Sequence, residues 1–145
     1  IDWANADPAV KNKRLFVEMY KWPGPPRIAE HYWKEHAKYP KAEPRYVKYP
    51  MAVVRSGEEG TKLSADQLND SLASHHQHIA RFQKTRQIVW ASLLKETKEL
   101  TALVFFREGT LYDARKIMEQ DPAVQSKRLR YAIFEWMSED LVMPW

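Results

Sequence analysis

From residue 51 onward the apolar positions switch repeatedly between a period of two, which a strand imposes, and a period near 3.6, which a helix imposes. Met51 to Arg55 is a short β-branched run that stops at Ser56-Gly57 and reads as a strand. Ser64 and Gln67 then form a capping-box pair, and Leu68, Leu72, Ile79 and Phe82 fall at spacings of 4, 7 and 3, with His75 filling the gap on the same face. This predicts a helix ending near Thr85. Gln87 to Leu94 and Glu99 to Arg107 are rich in Ile, Val, Phe and Trp, and Lys95 to Lys98 between them suit a hairpin loop. Thr110 and Asp113 open a second helix, with Leu111, Ala114, Ile117 and Met118 at helical spacing and Asp121-Pro122 as its stop. Arg128 to Met137 alternates Leu129, Tyr131, Ile133 and Met137 against Arg130, Ala132, Phe134 and Trp136, and closes the unit as a strand.

The predicted order is βαββαβ. That order is the ferredoxin-like split βαβ arrangement, an α+β fold in which two helices pack on one face of an antiparallel sheet. Trp90 and Trp136 fall among apolar residues on both sides of their strands, which implies that the other sheet face is covered as well. A second sheet is the simplest cover, from another copy or from the N-terminal segment.

That segment carries an internal repeat. Ala6 to Trp22 (ADPAVKNKRLFVEMYKW) and Gln120 to Trp136 (QDPAVQSKRLRYAIFEW) share 8 of 17 residues at a constant offset of 114. Both read as a helix end at Asp-Pro, a link and a strand. The chain therefore divides into a remnant of a preceding repeat (1–22), a connecting stretch (23–48), one complete unit (49–137) and a tail (138–145).

Composition changes this picture in one place. The formal charge is +4, but residues 1–55 hold 11 Lys/Arg and 6 Asp/Glu, or +5, leaving −1 for the remainder. The same third holds seven of nine prolines and nine of 18 aromatics. Prolines at 23, 25, 26, 40, 44 and 50 remove amide donors and restrain the residues before them, so 23–48 is expected to be an extended Pro-aromatic-basic arm. Trp22, Arg27, Tyr32, Trp33, Tyr39, Arg45, Tyr46 and Tyr49 are its expected docking residues. Such an interleaving also suits single-stranded nucleic acid, but Glu30, Glu35 and Glu43 interrupt the basic run and favour a protein partner. With no Cys, disulfides, thiolate metal sites and a cysteine nucleophile are excluded. No apolar run reaches the roughly 20 residues of a membrane-spanning helix.

His78-Ile79-Ala80-Arg81-Phe82-Gln83 in the first helix of the unit resembles the His-Leu-x-x-Leu segment of the YCII-related family of dimeric α/β-barrel proteins, and Asp121-Pro122 and the order of elements agree. The resemblance spans about Tyr49 to Met137. It departs from the family between Thr85 and Leu94, where a glycine and a Gly-Pro are usual and this chain has neither. It implies a His and Asp pair in a small cleft between sheet and helix, and carried over by position the pair is His78 and Asp121. Such a pair serves either as an acid/base centre, with lyase-type chemistry on a small molecule, or as a tether between the two helices. His75, His76 and His78 cluster, but without a His-Glu-x-x-His pattern no metal or other cofactor is expected. The truncated repeat, the Ile at position 1 and the arm together point to an accessory, non-catalytic subunit of a larger assembly, expected in an organelle. The small enzyme and an RNA-associated subunit are the alternatives.

Overall fold

A computed structural model describes residues 2–20, 22, 24–41, 43–93, 100–107, 109–140 and 142. Three helices precede the sheet: α1 (Asp2–Ala6), α2 (Pro8–Lys11) and α3 (Ile28–Lys38). The rest follows as β1 (Tyr46–Ser56), a 3-10 turn (Gly60–Lys62), α4 (Ala65–Lys84), β2 (Ile88–Leu93), β3 (Leu100–Phe106), α5 (Leu111–Glu119), α6 (Pro122–Gln125) and β4 (Leu129–Glu139). The four strands form one antiparallel sheet in the order β2-β3-β1-β4. The fold class is α+β, as expected. No helix among the described residues is long and apolar enough to cross a membrane.

Both capping boxes form. Ser64 accepts from the Gln67 amide while the Gln67 side chain returns to Ser64 N, and Thr110 and Asp113 do the same ahead of α5. The core lies between the helices and one sheet face: Ile79 and Phe82 from α4 and Ala114, Ile117 and Met118 from α5 meet Ala52, Val54, Val104 and Phe106. Alternation sends the neighbouring residues to the opposite face, where Tyr49 and Phe105 are nonetheless almost fully buried. Trp22 provides part of the cover, its ring 5.3 Å from that of Phe105, and Trp136 packs on the same ring at 5.1 Å.

Several expectations need correction. The stretch 23–48 is not an extended arm: the thirteen residues between Pro26 and Pro40 contain no proline, and that gap admits the eleven residues of α3. Pro50 does not keep its segment out of the sheet, because it stands where β1 is paired to β4 alone, one residue before the β3 ladder begins at Met51. β1 thus starts at Tyr46, five residues earlier than expected. Leu15 to Tyr20 in the first copy of the repeat joins no ladder, although the matching residues of the second copy lie in β4. The hairpin loop expected at Lys95 to Lys98 lies outside the described residues, as does the side chain of Leu68.

The turn after β1 is fixed against the start of β4. Gly57 and Glu59 donate amides to the carbonyls of Arg128 (2.7 Å) and Lys127 (3.1 Å), and a Cβ on Gly60 would fall inside the Arg128 carbonyl. Backbone sits on both sides, so no side chain can give way. Gly60→Ala is expected to destabilise the protein by about 2 kcal/mol or more in urea unfolding; an unchanged midpoint would show that the turn can move aside.

Candidate functional site

The Asp-Pro step between α5 and α6 places a carboxylate inside the molecule. Asp121 is the N-cap of α6, its Oδ1 accepting the Ala123 amide at 2.9 Å, with Pro122 at the first helical position where a missing N–H costs nothing. The other oxygen, Oδ2, is bonded to His75 Nδ1. Both side chains are almost fully shielded, at 0% and 1% exposure. One turn earlier on α4, the buried Ser71 hydroxyl donates to the Gln67 carbonyl and accepts from Arg128 at 3.1 Å. α4 is thus joined by polar contacts both to the α5–α6 corner and to the residue that leads into β4.

The structure therefore pairs Asp121 with His75, where His78 was expected. His78 Nε2 donates instead to the Ile117 carbonyl of α5 at 2.8 Å, and its ring stacks near Phe82, 4.9 Å between centroids. Both histidines tie α4 to its neighbour. Only His75 reaches the carboxylate, because it occupies the inward stripe with Ile79 and Phe82. The signal lies in the pattern, where His75 fills the gap in the apolar stripe and so faces the interior.

Burial alone would raise the Asp121 carboxyl, yet the His75 hydrogen bond and charge, together with the Ala123 amide, outweigh it and hold the group below the usual aspartate range. An ionised carboxylate offers acceptors only, so His75 Nδ1 is the donor to Oδ2. Burial lowers His78, partly offset by its bond to Ile117, and burial followed by the proximity of His75 lowers His76. His75 and His76 line a cleft of about 180 Å³ between α4 and the β2–β3 edge, shared with Ile79, Gln83, Ala91, Ser92 and Ala102. The Ser92 hydroxyl is buried at its wall without a hydrogen-bond partner among the described residues. A lining that mixes histidine, serine and glutamine with aliphatic carbon suits a small, partly polar molecule.

The expected docking residues do not behave alike. Trp33, Tyr39 and Tyr46 stand more than 60% exposed. Arg27 takes a left-handed conformation (φ 60°) at the N-cap of α3 and pairs loosely with Glu30, and Arg45 meets Asp140 at 3.1 Å. Tyr32 is held by Glu139, which raises its hydroxyl. Trp22 and Tyr49 are contact residues of the sheet: Trp22 rests on Phe105, and Tyr49, 2% exposed, packs on Trp136. Tyr49 is corrected to a buried residue of the sheet face away from the helices, since β1 extends through it and Trp136 packs on it. No protein-family model, curated protein or solved structure matches the chain.

Removing the His75 ring leaves a shielded carboxylate without one of its two donors. His75→Ala is expected to cost about 3–5 kcal/mol in urea unfolding, against a smaller loss for His78→Ala; the reverse ranking would refute the pairing. Asp121, His78 and His76 each bind fewer protons folded than unfolded. Their contribution to stability is therefore full above about pH 6.5 and falls as pH drops, first through the two histidines and then, near and below about pH 4, through Asp121. His78→Gln should flatten the first part of that decline in chemical unfolding between pH 7.5 and 5.5; a slope equal to wild type would place the acid sensitivity elsewhere.

Proposed function

We propose that the protein is an accessory, non-catalytic subunit that docks into a larger protein assembly, with a ferredoxin-like unit of the YCII-related, α/β-barrel kind as its body. The strand order β2-β3-β1-β4 and the helix placement support that reading of the body. The observation that carries the docking is the distribution of exposed apolar groups. Of the twelve large hydrophobics exposed among the described residues, eight lie before residue 47: Trp3, Leu15, Phe16, Val17, Met19, Trp33, Tyr39 and Tyr46. Scattered exposure is ordinary, but a concentration of this kind in one third of a chain marks a surface that another protein covers. The +5 charge of residues 1–55 sits in the same third and adds selectivity for an acidic contact surface. An organelle is the proposed setting.

The subunit should sediment within a particle well above 17.1 kDa when isolated from its source. Phe16→Asp with Trp33→Asp should leave the melting temperature unchanged and weaken assembly by about 30-fold or more, the effect of losing an aromatic anchor worth about 2 kcal/mol. A native protein that runs as a lone chain would dispose of the proposal.

The unpartnered Ser92 hydroxyl in the cleft favours a second reading, a small enzyme in which His75 acts as general base or acid and Asp121 orients it. Under that reading His75→Gln abolishes turnover of a small-molecule substrate while circular dichroism stays native. Full turnover in that variant excludes it.

A further inference from the structure

The 114-residue repeat extends from the sequence into the backbone. Asp7 caps α2 by accepting the Ala9 amide, as Asp121 caps α6 through Ala123. The link after each short helix turns through a lysine at positive φ, Lys13 at 55° and Lys127 at 56°. At the next step the two copies diverge. Leu129 and the residues after it pair with β1 along eleven positions, whereas Phe16 to Tyr20 make no backbone-to-backbone hydrogen bond among the described residues.

The side chains of the unpaired copy still alternate. Glu18 meets Arg55 on β1 at 2.9 Å, Tyr20 adds hydrogen bonds to both, and Trp22 lies on Phe105. These three seat the segment across the sheet face away from the helices. Leu15, Val17 and Met19 form the opposite row, 59%, 42% and 49% exposed. Their counterparts are Leu129, Tyr131 and Ile133, the row of β4 that packs with the helix-side core. Each row thus points where its homologue's would if a second sheet lay face to face with this one. This sheet cannot supply the missing pairing, because β1 is already flanked by β3 and β4.

We infer that Leu15 to Trp22 is the fourth strand of a second α+β unit of this same type, outside these 145 residues, whose first strand pairs with it and whose helices cover Leu15, Val17 and Met19. The register follows from the copy in hand. Leu15 stands opposite that unit's counterpart of Ser56, and Trp22 opposite its counterpart of Tyr49. This rests on the subunit reading and names the partner it requires: a sheet with an open first-strand edge, which main-chain pairing closes.

Hydrogen exchange on the native particle and on the isolated chain tests it. The amides of Phe16 to Tyr20 should exchange at least about 100-fold more slowly in the native particle, approaching those of Arg130 to Phe134. A large particle in which they exchange as fast as in the isolated chain overturns the strand and leaves the subunit reading standing; a lone chain removes both. Val17→Lys, at an exposed site, should melt like wild type and fail to enter the particle. Incorporation at the wild-type level overturns the inference.

Discussion

One carboxylate holds the helical layer in place. Asp121 closes the first turn of α6 with one oxygen and grips α4 through His75 with the other. The arrangement is costly to assemble, since a charge and a ring leave water together, and a donor on each carboxylate oxygen offsets that cost. That cost brings position: a hydrophobic contact between α4 and α5 can slide, whereas a carboxylate with two assigned donors cannot. Ser71 and Arg128 extend the same polar seam to the head of β4.

How far this was legible follows from the range of each interaction. The capping boxes, the Asp-Pro stop and the order of strands and helices depend on neighbours within four residues, and the sequence displays them. The choice between His75 and His78 depends on which helical direction faces a corner formed 46 residues after His75. Three positions apart, the two rings differ by only about 60° around the helix. A resemblance over a short motif cannot resolve that angle. The proline content of the segment as a whole hides α3, because helix formation responds to the gap between prolines.

The N-terminal third has two characters that composition merges into one. Glu18, Tyr20 and Trp22 belong to the sheet's far face and contribute to its packing, whereas Trp33, Tyr39 and Tyr46 face solvent. A basic, proline-rich average describes neither. The repeat distinguishes them, because a homologue of known surroundings assigns each residue a side.

The ladder between β1 and β4 has a kinetic consequence. It joins residues 73 to 93 positions apart along its whole length, from Ser56 with Leu129 to Tyr46 with Glu139. Contacts of such separation form late and slow the approach to the native state. A nascent chain also holds β1 with one side unmatched until β4 leaves the ribosome, and through that interval the opening is a site for mispairing.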